Sequence, residues 1–375
     1  MPVRYIRVNP VADLFAPAIR AFGNIAVAGT VTPPAANPPP DLLAVNTPVL
    51  FTDPGEARRR APGDLGRAIA MCFTQSPGPT VVTGVRVDSA NPDWEAGLTT
   101  LETADVQIVC LANTPLNAAS GAANGAVRKL VDHIVGVSTT GADGAERIGV
   151  AMLAQGATDP TIVNGALASD RMVYVAHKST EDVAAAVAGT IAGYEPHISM
   201  LLKQVNVSTA SLTPAEIQTI NGSETFDSGP AGAGVNWLVD PPLFPGQGIY
   251  LGEGYTGNPG GKKYIDITRE VDNLTFLLKA TLIRSVGNVR ISRSGLRALI
   301  AQMEAVLDPL VRLEVIEGYD ITIPILALLD KPPATLTESE LAQVNDAQNQ
   351  RVVEVLAAVD YAGAIHRIAI TLKFE

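Results

Sequence analysis

Cysteine is nearly absent. Cys72 and Cys110 are the only two in 375 residues, and each sits in an apolar run, AIAMCF and VQIVCLA. That density excludes a disulfide-stapled secreted scaffold. The two thiols read as small buried hydrophobes of a reduced compartment, with a single Cys72–Cys110 bridge left open by the sequence. Histidine is as scarce. His133, His177, His197 and His366 are too widely spaced for a ligand pair and no H-E-x-x-H occurs, so no metal centre is expected. Basic residues are the minority, 27 Lys and Arg against 38 Asp and Glu, and a net charge of −11 makes nucleic acid a poor partner. Long apolar runs are missing too. Charge, Gly or Pro interrupts each candidate, and no direct membrane insertion is expected. The opening MPVRYIRVNP lacks the apolar core of a cleavable export signal, so the expectation is a chain made in the cytoplasm. No repeat of 20–50 residues is present, which excludes solenoids and propellers.

Catalytic motifs are also wanting. A literal G-x-G-x-x-G occurs at Gly252, Gly254 and Gly257, but Asn258, Pro259, Gly260 and Gly261 follow, where a dinucleotide site needs a helix. Gly261-Lys262 is followed by Lys263 rather than Ser or Thr, and there is no G-x-S-x-G elbow. His177 ends an apolar run where an α/β enzyme places catalytic groups, yet no motif ties a carboxylate or nucleophile to it. Asp170 and Arg171 read either as an active pair or, on the preferred reading, as a strand-entry turn. No catalytic residue and no cofactor is expected.

What is present is a folded chain: 47% of the residues are hydrophobic and 17% charged, too apolar for disorder. Strands are predicted at 24–31, 48–53, 80–88, 106–112, 147–154 and 172–177. Helices are predicted to start at Pro54, with Asp53 as cap, and to run over 65–73, 94–102, 121–134 and 180–193, the last with Ser179 or Thr180 as cap. This alternation argues a parallel or mixed sheet with flanking helices. Residues 208–261 read as a β-rich connection with strands at 235–239 and 248–253. A second α/β unit follows: a strand at 262–269, helices at 271–286 and 294–307, and a strand at 319–326. Residues 338–352 form a polar segment without clear periodicity.

Two further features stand out. Between Asn273 and Met303 there is no acidic residue, while Lys279, Arg284, Arg290, Arg293 and Arg297 fall inside. In so acidic a chain this is a local reversal of sign. It reads either as a solvated helix face or as a docking surface for an acidic partner, with Arg290, Arg293 and Arg297 able to share a helix face if that helix begins early. The second feature is alternation at both ends. Val3, Tyr5, Ile6 and Val8 sit among Arg4 and Arg7, and Ile368, Ile370, Leu372 and Phe374 alternate with polar residues up to Glu375. Both segments read as strands that need a sheet to join.

The order of segments resembles that of the sheath proteins of contractile tails, the family of myophage tails, R-type tailocins and extracellular contractile injection systems. The likeness runs through NIAVAGTVTPP, NTPVLFTDPGEARRRAPGDLGRAIAMCFTQ and TVVTGVRV, then SDRMVYVAHKSTEDVAAAVAGTIAGYEP, KKYIDITREVDNLTFLLKATLIRSVGN and the closing DYAGAIHRIAITLKFE. Residues 90–168 match in rhythm alone. The resemblance implies an α/β subunit of two domains, with mixed sheets flanked by helices and extended strand arms. It divides the chain into an N-terminal arm (1–20), an outer α/β domain with the β-rich connection (21–260), a tube-facing C-terminal domain (261–360) and a C-terminal arm (361–375). It implies that Val3, Tyr5, Ile6, Val8, Ile368, Ile370, Leu372 and Phe374 lie in strands that link neighbouring subunits, and that Lys279, Arg284, Arg290, Arg293 and Arg297 face an inner tube. The implied protein is no enzyme. Its partners are further copies of itself in stacked hexameric rings, the inner tube protein, and baseplate and terminator proteins. Its place is a virion tail or injection particle assembled in the host cytoplasm. A different viral structural protein with exchanged arms, and an α/β enzyme using the crevice near His177, are the alternatives.

Overall fold

The computed structural model describes residues 21–36, 38–141, 144–222, 232–244 and 248–366. The chain forms two compact units. One comprises the described residues of 21–273 together with 364–366, and the other includes residues 274–363.

The first unit is built on a mixed sheet. Its strands are β1 (Ile25–Thr30), β2 (Pro48–Phe51), β3 (Val82–Val87), β4 (Ile108–Leu111), β5 (Ile148–Met152), β6 (Met172–Ala176), β7 (Asn236–Val239) and β8 (Tyr250–Leu251). They lie in the order β2-β3-β1-β4-β5-β6-β7-β8. β3, β1, β4, β5, β6 and β7 are parallel, and β2 and β8 close the two edges antiparallel. β4, β5 and β6 are buried at every position because helices cover both faces, which is why these segments read as unbroken apolar runs.

On one face lie α1 (Pro54–Arg60), α2 (Asp64–Phe73) and α5 (Val183–Ala192). On the other lie α3 (Trp94–Thr99), α4 (Ala126–Thr140) and α6 (Pro214–Asn221). Asp53 caps α1 as predicted, accepting from the Glu56 amide at 2.7 Å. α5 is capped by Asp182, not by Ser179 or Thr180. Ser179 instead donates to the Ser208 carbonyl at 2.6 Å, which holds the chain extended ahead of the helix. Every residue of α5 is buried. Its small side chains let it lie against α2 so closely that a Cβ at Gly189 would meet the Cys72 carbonyl oxygen at 2.6 Å. α4 starts later than the sequence suggests, because Asn117 and Ser120 fold residues 117–121 into turns ahead of it.

A larger departure comes at 262–269, expected to be a strand. Residues from Ile265 on are the opening turns of α7 (Ile265–Leu282). Its buried positions are mostly polar, Asp266, Thr268, Arg269, Glu270 and Asp272, so a search for apolar period could not see the helix. The division between the two units falls within α7, between Asn273 and Leu274.

The second unit continues with α8 (Arg293–Arg312), β9 (Ile316–Thr322), α9 (Pro324–Leu329), α10 (Glu338–Gln350) and β10 (Leu356–Tyr361). α8 runs through Pro309, the expected stop, and ends one turn later. The polar segment at 338–350 is helical. Its start is fixed by a reciprocal capping box between Thr337 and Glu340. β9 and β10 pair antiparallel as a two-stranded sheet. Among the described residues, no helix is long and apolar enough to cross a membrane.

Candidate interaction surfaces

The crevice at the carboxyl ends of parallel strands is where open α/β sheets bind ligands, at the point where strand order reverses. Here that point lies between β1 and β4. Asp182 fills it. Its carboxylate accepts from the Asn113 amide at 2.6 Å and from the Ala185 amide at 3.0 Å. Burial pushes this carboxyl up to about 6. Next to it the Asn113 side chain donates to Asp64 at 3.1 Å. The polar groups of the crevice thus satisfy one another.

His177 follows β6, with Nε2 at 3.0 Å from the Leu153 carbonyl, and burial lowers its pKa. This is the geometry of a hydrogen-bonded core histidine. Arg171 forks not onto Asp170 but onto Asp272, with Nη1–Oδ2 at 2.8 Å and Nη2–Oδ1 at 2.9 Å. Gly257 of the glycine motif packs on an aromatic ring: a Cβ there would meet the Tyr174 ring at 2.6 Å. Among the described residues no group of three or more His, Cys, Asp or Glu is placed to hold a metal ion.

The basic stretch is divided by the structure. Arg290 lies ahead of Ser292, the N-cap of α8, so it does not share a helix face with Arg293 and Arg297. Those two turn toward the end of α9. Arg297 meets Asp330 at 3.1 Å, while Arg293 donates to the Leu329 carbonyl and, at 3.1 Å, to that of Lys331. The carbonyl end of a helix attracts such cations. Lys279 lies in the last turn of α7. Arg284 and Arg290 flank the connection between α7 and α8 and form no ion pair among the described residues. Beside them Ile283 and Val286 are 65% and 74% exposed.

The second surface is the β9–β10 sheet. One face carries Tyr319, Ile321 and Val359 against Leu307, Leu310 and Val311. The Tyr319 hydroxyl donates to Asp308 at 2.5 Å, which pushes the phenol up to about 12. Asp320 and Asp360 alternate onto the other face by register. No third strand pairs with either edge among the described residues. Two strands alone are marginal in water. The unit around them has a thin core, with Leu296, Met303, Leu307, Val315, Ile316, Ile323 and Val344 as its buried apolar side chains between 274 and 363. The eight arm positions expected to link subunits, Val3, Tyr5, Ile6, Val8, Ile368, Ile370, Leu372 and Phe374, lie outside the described residues.

No protein-family model matches the chain, and no curated protein matches it in sequence. Solved structures do match. The helical sheath of the anti-feeding prophage in its contracted state is similar with a TM-score of 0.62 and 14% identity, over 100% of this chain and 99% of that one. The contracted sheath complex of the extracellular contractile injection system PVC gives 0.62 and 11%, over 99% and 96%. The sheath tail protein of Desulfitobacterium hafniense gives 0.57 and 9%, over 85% and 92%. The chain has the contractile-sheath fold. With the first two of these sheath chains the match runs nearly end to end. The mixed α/β architecture expected from the sequence is therefore the one found.

Proposed function

We propose that the chain is the structural subunit of a contractile sheath, polymerising as a helical array around an inner tube. The end-to-end fold match to two contracted sheaths carries this reading. A two-stranded sheet that pairs with no third strand among the described residues supports it, because the alternating segments 3–8 and 368–374 are the right length and pattern to add strands there from neighbouring copies. In this reading the C-terminal domain, 261–360, is the one that faces the tube. The tube-directed contact comes from Arg284 and Arg290 with Ile283 and Val286, since Arg293 and Arg297 already bind the end of α9.

Such a subunit needs no active site. The extended array is metastable, and subunits turn as near-rigid bodies into larger contacts while the arms stay engaged. Baseplate and terminator proteins cap the array, and the particle assembles in the host cytoplasm as part of a phage tail or injection device. Negative-stain microscopy of the purified protein tests the proposal. Hollow ridged cylinders are expected, and a monodisperse monomer at high concentration by light scattering refutes it.

A further inference from the structure

Where the described chain begins and ends, two polar contacts converge on the start of α7. At the N-terminal side, Arg269 is 6% exposed and its guanidinium forks across three carbonyls. Nη2 donates to Tyr194 at 2.8 Å and to Phe22 at 3.3 Å, and Nη1 donates to Glu195 at 3.4 Å. Tyr194 and Glu195 follow the end of α5, so the cation closes that helix and holds the backbone at Phe22 together. Burial pulls this arginine down to about 10, and it stays charged at neutral pH. Gly23 packs so close to the same helix end that a Cβ there would meet the Ala192 oxygen at 2.3 Å.

At the C-terminal side the chain is back in the larger unit from Ala364, and His366 is fastened there. The imidazole lies between two groups, with Nδ1 3.1 Å from Glu253 Oε2 and Nε2 3.0 Å from Ser199 Oγ. Its ring stands edge-on to Tyr264, the residue ahead of α7, at 4.8 Å between centroids. The Glu253 side chain is 2% exposed and that of His366 10%. A nearly buried carboxylate is costly without such a partner.

We infer that residues 264–269 form a double anchor, fastening the chain at Phe22 through Arg269 and at His366 through Tyr264 and the Glu253–Ser199 cradle. The device fixes the backbone at both ends of the described chain, Phe22 and His366, on the opening of one helix. This inference rests on the contacts themselves and stands whether or not the chain builds a sheath.

Trypsin gives the test, because Arg20 and Arg367 lie just outside the two anchor points. Glu253→Gln and Ser199→Ala leave the sequence around Arg367 unchanged, and Arg269→Met leaves that around Arg20 unchanged. Cleavage of the full-length chain, kept monomeric by light scattering, is followed by mass spectrometry, with the bond after Arg128 inside α4 as the internal reference. Losing a charge-assisted hydrogen bond raises the open population about tenfold or more, and cleavage under native conditions follows that population. The expected result is about tenfold faster cutting at Arg367 in Glu253→Gln, a smaller rise in Ser199→Ala, and about tenfold faster cutting at Arg20 in Arg269→Met, with Arg128 unchanged. A wild-type rate at Arg20 in Arg269→Met or at Arg367 in Glu253→Gln, or an equal rise at Arg128, overturns the anchor.

Discussion

Replacing Asp272 with Asn tests a bidentate, nearly buried ion pair of the larger unit. Arg171 and Asp272 make two parallel hydrogen bonds of 2.8 and 2.9 Å, and their side chains are 18% and 10% exposed. Arg171 stands at the entry to β6 and Asp272 two turns into α7, so the pair ties helix to sheet. Burial opposes the Arg171 charge, while the Asp272 contacts outweigh it and hold the guanidinium above its ordinary pKa. Asn keeps the shape and one acceptor but removes the counter-charge. Breaking a buried pair from one side costs about 3–5 kcal/mol, and the residual exposure here places the loss near the lower end, about 3 kcal/mol. Replacing both partners, Arg171→Met with Asp272→Leu, removes the stranded charge as well and is expected to cost clearly less than the sum of the single changes. Urea unfolding followed by tryptophan fluorescence reads the difference, with a midpoint lower by about 1 M for Asp272→Asn. A loss below about 1 kcal/mol, or a double variant as damaged as the sum, would refute the reasoning.

Other expectations concern charge and caps. Burial raises Glu270 to about 7 from an ordinary 4.5, so the folded state prefers its protonated form. Its contribution is fully present below pH 4.5 and is lost as pH rises through 7; Glu270→Gln should therefore stabilise the protein at pH 8 by at most about 3 kcal/mol and change little at pH 4, as compared by urea unfolding at the two values. Thr337→Ala breaks the α10 capping box and should cost about 1 kcal/mol, seen as faster amide exchange confined to residues 338–350. Under the proposed sheath function, Arg284→Glu with Arg290→Glu should leave cylinders intact when the protein assembles alone but reduce co-sedimentation with an inner tube protein. Unchanged co-sedimentation removes the 283–290 connection as the tube contact.

The sequence announces an element most clearly where apolar residues alone build it. β4, β5 and β6 are legible as such, because a strand covered on both faces has nothing polar to interrupt it. The opening of α7 is misread for the opposite reason. Ile265 and Ile267 alternate with Asp266 and Thr268 as in a strand, while Arg269 and Asp272, three apart as on a helix face, are buried through partners far along the chain. α10 hides because Val344 is its only buried residue, though the Thr337–Glu340 spacing is a helix signal independent of apolar period. Of the candidate surfaces, the sign reversal over 273–303 is visible in the residues. That Arg293 and Arg297 close α8 against the end of α9 is not, since it depends on where Asp330 comes to lie.

The complete burial of α5 gives the chain a reporter of its own. Cys72 and Cys110 lie in the same core as that helix, both free and both closed to solvent. Cys72 donates to the Ala185 carbonyl at 3.3 Å, and contact with Cys72, together with burial, keeps the Cys110 thiol well above its ordinary range. With both thiols fully buried, alkylation is expected only once the core around them opens. Labelling of the native protein therefore works as a clock for opening of the larger unit, and under the proposed rigid-body contraction it should record no event when the sheath fires.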